Sequence, residues 1–150
     1  MWYRLAKEEK EKLKLGGQEF HGIDIFVEFL KGDTRTKTNE EGKTWSRVMT
    51  AAYGRISKTK GADGMCIDIY VGEDLESNKV FIVDQVDKEG KFDECKIMLG
   101  CFSLKNAKET YSSNYPDDFK VGKISECTID EFKEWLKKGD TTKPGVEYFN

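Results

Sequence analysis

The chain predicts an α+β fold: a small antiparallel β-barrel flanked by two or three helices. Three observations carry this. Apolar and polar residues alternate over short stretches through the first two thirds of the sequence. Turns rich in Gly, Asp and Asn separate those stretches at hairpin spacing. The two segments with helical periodicity and capping residues both come late, after Ser103.

At 150 residues the chain is long enough for one domain with a core that needs no disulfide staples. Hydrophobic residues make up 37% and charged residues 35%, with a net charge of −3. An acidic balance argues against a nucleic-acid-binding domain, which is normally basic. No apolar run approaches membrane-spanning length, and the start (Met1-Trp2-Tyr3-Arg4-Leu5-Ala6-Lys7-Glu8) has no apolar signal core. A cytoplasmic protein is expected. Cys66, Cys95, Cys101 and Cys127 are scattered, with no Cys-x-x-Cys pair and one histidine, His21. This spacing suits reduced, mostly buried thiols better than a tetrahedral zinc site.

Residues 1–20 read as a charged N-terminal arm or helix, ended by the breaker Gly16-Gly17, with His21 at the surface or at an edge. Residues 21–150 carry the domain. Ile23 to Leu30 alternates as a strand, Ile23, Ile25, Val27 and Phe29 on one face and Asp24, Phe26 and Glu28 on the other. Lys31 to Lys43 is a polar loop or hairpin.

The centre of the chain is Tyr53-Gly54-Arg55-Ile56, a Gly-rich turn holding Asp63, then a strand. Alternation places Asp68 with Cys66 and Tyr70, and Ile67, Ile69 and Val71 on the opposite face. A carboxylate in so apolar a strand is costly unless paired, hydrogen-bonded or bound to a cation. A turn Asp and a solvent-facing strand Asp remain the simpler alternative. Lys79 to Asp84 is apolar on both faces, so it reads as a covered strand. Asp87-Lys88-Glu89-Gly90-Lys91 is a turn and Glu94 to Leu99 its return strand, which clusters Asp87, Asp93, Glu94 and Lys96 at one end of the sheet. Ser103 caps a helix to Tyr111, and Thr128 with Glu131 forms a capping box for a helix ending at Gly139. Ile129, Phe132, Trp135 and Leu136 make that helix's apolar stripe.

The central stretch resembles the soluble inorganic pyrophosphatases, which read Tyr-Gly-x-Ile, a loop, then Asp-Gly-Asp-Pro-Leu-Asp-Val. It is more similar still to the pyrophosphatase-like domains of phage and mobile-element proteins. Tyr53-Gly54-Arg55-Ile56, Gly61-Ala62-Asp63-Gly64, Asp68 and Tyr70-Val71-Gly72 match, and the likeness runs from about Ile23 to Gly139. It implies a five-stranded barrel of the oligonucleotide-binding type with helices beside it. It also implies Mg²⁺, with Mn²⁺ as the alternative ion, and pyrophosphate or a phosphorylated small molecule as ligand. By matched position Asp63, Asp68, Asp87, Glu94 and Glu28 would hold metal, Asp84 competing with Asp87. Arg47, Tyr53, Lys96 and Tyr111 would contact phosphate, with Arg35, Lys37, Lys43, Tyr115 and Lys120 as further candidates. Asp68, Asp63, Tyr53 and Lys96 would carry the chemistry. Carboxylates suit Mg²⁺, and cations offset the phosphoryl oxygens. Relatives of this kind often form homo-oligomers.

One position departs from the pattern. The family's middle Asp, held to deprotonate the attacking water, is Met65, and its Pro is Cys66. A thioether neither accepts a proton nor ligates Mg²⁺ usefully. Two functions follow: a Mg²⁺-dependent hydrolase of pyrophosphate or another phosphoanhydride, weakened at its base, or an inactive phage-type accessory module that keeps a metal or phosphate-ligand site. An oligonucleotide binder is a third class. Trp2 and Trp45 could stack on bases, though aromatic side chains are more often core.

Overall fold

The computed structural model describes residues 13–115 and 120–149. The arm expected over residues 1–20 lies largely outside them. What is described of it is residues 13–15 and strand β1 (Gly16–Phe20), so the Gly-Gly pair opens a strand instead of breaking the chain. β1 turns at His21-Gly22, both with positive φ, into β2 (Ile23–Phe29). β3 (Thr34–Thr38) and β4 (Thr44–Val48) form a separate two-stranded ribbon. Then come β5 (Ala52–Ile56), β6 (Asp68–Val71), β7 (Lys79–Val86) and β8 (Phe92–Leu99). Helix α1 (Leu104–Asn114), β9 (Lys120–Thr128), helix α2 (Ile129–Lys138) and the short helix α3 (Val146–Phe149) complete the chain.

Seven strands make one mixed sheet in the order β1-β2-β5-β6-β8-β7-β9. All neighbours are antiparallel except β6 and β8, which run parallel. The expected five-stranded barrel is therefore replaced by an open sheet: β1 pairs with β2 and β9 with β7, and the two end strands do not pair with each other. Phe20 of β1 and Cys127 of β9 instead share one core with Phe132 and Trp135 of α2.

Period-two alternation sorts the side chains into two cores. Ile25, Val27, Ile56, Ile69, Val71, Val80, Ile82, Ile97 and Leu99 pack with α2. Tyr53, Tyr70, Phe81, Val83 and Met98 pack with Ala107 and Tyr111 of α1. β7 is buried on both faces, as its unbroken apolar run requires. Both helix starts are as expected: Ser103 Oγ accepts the Asn106 N–H, and Thr128 and Glu131 form the reciprocal capping box. No helix among the described residues is long and apolar enough to cross a membrane.

Candidate functional site

The central motif opens onto the α1 face. Strand β5 can lie against β2 because residue 54 is glycine: a Cβ there would fall 1.9 Å from the Phe26 carbonyl oxygen. That approach, beside a bulge between Val27 and Phe29, brings Tyr53 and Arg55 onto the face that carries Asp68 and Tyr70. Register then builds two rows across the sheet. Arg55, Asp68 and Lys96 stand in line on β5, β6 and β8, and Tyr53, Tyr70 and Met98 in the next.

Lys96 is the pivot of the charged row. Its side chain is 6% exposed, and its Nζ lies 2.5 Å from both Asp68 Oδ2 and Glu94 Oε1. Burial alone would lower its pKa, but the two carboxylates outweigh burial and raise it, so the ammonium stays charged. Glu94 moves up: burial raises its pKa, Lys96 opposes this in part, and the charges of Asp68 and Asp63 add to it. Tyr53 is pushed up to about 12, first by burial and then by the neighbouring Asp68 charge. The Tyr70 hydroxyl donates to that of Tyr115 at 2.9 Å, and the Tyr115 ring stacks on Tyr111 at 4.5 Å and lies 5.3 Å from Lys96 Nζ.

The ribbon β3–β4 supplies two further cations. Arg35 and Arg47 stand directly opposite one another in the ladder. The Arg35 guanidinium lies 4.4 Å from the Tyr53 ring centre, and that of Arg47 4.7 Å from Trp45 and 6.0 Å from Tyr115. Among the described residues neither forms an ion pair with a carboxylate. Lys37 shares their face of the ribbon; Lys43 sits past its turn.

The other expected residues are placed as follows. Asp63 stays in its turn, Oδ1 accepting the Met65 N–H at 2.9 Å, within electrostatic range of Glu94. Met65 is 70% exposed at the turn's edge. Asp87 closes the β7–β8 hairpin, where its Oδ1 accepts the N–H groups of Glu89 and Lys91. Glu28 pairs with Arg55 at 3.4 Å. Tyr111 is buried and its hydroxyl donates to Gln85 Oε1 at 2.6 Å, while Gln85 in turn donates to Asp93. The hydroxyl thus holds Gln85 and is not turned outward. Asp84 projects to the opposite face, where it accepts the N–H groups of Gly145 (2.7 Å) and Val146 (3.2 Å). Lys120 is exposed at the start of edge strand β9.

Arg55 is a site residue that the sequence motifs do not single out. It stands directly opposite Asp68 while its guanidinium lies 4.2 Å from the Phe26 ring. A signal for it exists, because alternation puts residue 55 on the face of residue 53.

Asp63, Asp68 and Glu94 offer the hard oxygens that Mg²⁺ takes. Their arrangement does not fit a cluster of such ions, however. Asp68 and Glu94 already give oxygens to Lys96, and the carboxylates of Asp87 and Glu28 are engaged elsewhere. Among the described residues no three acidic, His or Cys side chains are grouped to hold an ion. The arrangement can instead present two cations, Arg35 and Arg47, to an anion, while Lys96 stays engaged by Asp68 and Glu94.

Comparison with curated proteins gives no match. The family model for inorganic pyrophosphatase matches residues 5–137, a span that includes β1 to β9 and most of α2. With the greater part of its length matched, the chain belongs to the inorganic pyrophosphatase family.

Proposed function

We propose that the chain binds pyrophosphate, or the phosphoanhydride end of a phosphorylated small molecule, and hydrolyses it slowly or not at all. The observation that carries this is the facing pair Arg35 and Arg47. Like charges directly opposite in a ladder are unfavourable, and here no carboxylate among the described residues offsets them. A phosphate accepts two N–H bonds from each guanidinium and supplies the missing charge. Lys96, beneath the Tyr115 ring, partly offsets the Asp68 and Glu94 charges at the edge of this site. Tyr53 stays a neutral donor at physiological pH, because its ionisation is pushed up to about 12.

Met65 supports the weak-hydrolysis half. No carboxylate occupies the base position, and loss of a positioned base lowers rate by about 10²–10⁴. Mg²⁺- or Mn²⁺-dependent hydrolysis is the second reading. It is favoured by the nearness of the Asp68 and Asp63 charges to Glu94, whose pKa they help to raise after burial. It requires Asp68 and Glu94 to give up Lys96 and some group other than Met65 to take the proton. The four cysteines are free, which suits a reducing cytoplasmic setting for either reading.

Two measurements test the proposal: pyrophosphate binding by calorimetry, and phosphate release with Mg²⁺ or Mn²⁺, for wild type, Arg47→Gln, Asp68→Asn and Met65→Asp. The proposal expects binding by wild type, at least tenfold weaker binding by Arg47→Gln, and release that is slow or absent until Met65→Asp. Fast release by wild type, abolished in Asp68→Asn, would replace it with the hydrolase reading. No binding would remove both.

A further inference from the structure

The β3–β4 ribbon has two unlike faces. Thr36 and Ser46 share a hydroxyl–hydroxyl bond of 2.9 Å on one, as do Thr38 and Thr44. The other face holds Arg35, Lys37, Trp45 and Arg47 and nothing acidic. Its residues lie in two rows. The inner row, nearest the root where the Met49 N–H meets the Asp33 carbonyl, is Arg35 opposite Arg47. The outer row, toward the Asn39–Gly42 turn, is Lys37 opposite Trp45. Arg35 reaches inward to Tyr53 and Phe29, and Arg47 to Tyr115, so the inner row belongs to the phosphate site. Trp45 is half-buried, its ring approached by both guanidiniums, at 5.7 and 4.7 Å.

Inorganic pyrophosphate is charged oxygen throughout and gains nothing from an indole. An indole one row farther out matters only to a ligand that continues past its phosphates. Rows on one face of a strand are two residues apart, about 6.7 Å. That is the scale on which a sugar carries a planar base away from a phosphate chain. Aromatic side chains and guanidinium planes are the two surfaces on which bases stack. Trp45 and the two arginines offer both side by side, with the Lys37 ammonium opposite.

We infer that the ligand is a nucleoside di- or triphosphate, its phosphates on Arg35 and Arg47 and its base on Trp45. This rests on the phosphate reading given above and narrows it. The base adds stacking that bare polyphosphate lacks, which corresponds to roughly tenfold in affinity.

The test compares ATP and GTP with inorganic tripolyphosphate by calorimetry, with Mg²⁺ and again in EDTA, and follows tryptophan fluorescence. The readout is the ratio of nucleotide to tripolyphosphate affinity, which cancels any effect of Trp45 on arginine placement. Wild type should favour a nucleotide about tenfold and show quenching. Trp45→Leu should bring the ratio close to one, and Trp45→Phe, which keeps a ring and guards against a folding defect, should leave it between. A wild-type ratio near one, or a preference that survives in Trp45→Leu, would overturn the inference while tripolyphosphate binding upheld the phosphate reading. Failure of tripolyphosphate and nucleotides alike to bind would overturn both.

Discussion

Lys96 stands directly opposite Asp68 in the sheet's one parallel strand pair, its Nζ 2.5 Å from Oδ2 and equally close to Glu94. The three charges form a unit in which one cation answers two carboxylates. Lys96→Met leaves both acids half-buried without a counterion, and removing one partner of such a pair costs about 3 kcal/mol or more. Thermal unfolding should fall by roughly 6–12 °C. Asp68→Asn leaves Glu94 to balance the ammonium and should cost much less, about 1 kcal/mol. Equal losses in the two variants would show that Glu94 does not share the charge.

Gly54→Ala tests the packing that aligns the site. The added methyl meets backbone, the Phe26 carbonyl at 1.9 Å, and no side chain can rotate away to relieve it. A loss of about 3 kcal/mol is expected, with hydrogen exchange rising first along β2 and β5. Met65→Asp should be thermally silent, within about 0.5 kcal/mol, because the side chain is 70% exposed. Any gain of hydrolysis in that variant is then a gain of chemistry, not of folding.

Alkali should destabilise the protein in two stages. Burial raises the thiol pKa values of Cys95, Cys101 (to about 11) and Cys127 (to about 12), and those of Tyr53, Tyr70, Tyr111 and Tyr115. In the unfolded chain thiols lose protons near pH 8.5 and tyrosines near pH 10. The folded protein therefore holds more protons in this range. A group whose folded pKa is raised contributes stability that is complete below its unfolded pKa and is lost as pH rises above it. Chemical denaturation should show stability falling from about pH 8.5 and more steeply from about pH 10. Cys101→Ala and Cys127→Ala should flatten the first stage. A profile level through pH 10 would contradict the burial of these thiols.

Asp84→Asn should loosen the end of the chain. Its two oxygens accept the Gly145 and Val146 N–H groups, and one also accepts from the Cys95 thiol. The amide keeps one acceptor oxygen and brings two donors into a site that offers donors. Faster amide exchange at Gly145 and Val146, with the β6–β8 pairing unaffected, is the expected result.

Elements whose signal is local are legible in the sequence. Helix α2 carries its own capping box and stripe, and β2 its own alternation, with Ile23, Ile25 and Val27 buried as the pattern requires. The two faces of β6 are legible too, Asp68 and Tyr70 against Ile69 and Val71. β1 and β9 are not. β1 begins at Gly-Gly, which signals a break, and it exists because β2 offers it a ladder. β9 is polar along most of its length, because it is an edge strand whose partner β7 supplies the apolar side. The site is half legible. Spacing brings Glu94 and Lys96 together and turn residues place Asp87 in its own turn, while the assignment of Asp84 to the far face depends on register, which one sequence does not reveal.

The parallel pairing of β6 with β8 also sets when the site can exist during folding. β7 and β8 are joined locally, as a hairpin through the Asp87–Lys91 turn. Nothing within that hairpin contains Asp68. Lys96 acquires its partner across 28 residues of chain, only after the hairpin docks alongside β6, a non-local closure of the kind that slows folding. Until docking, the ammonium has Glu94 alone, so the charged row is completed by a tertiary closure and not by the hairpin that carries half of it.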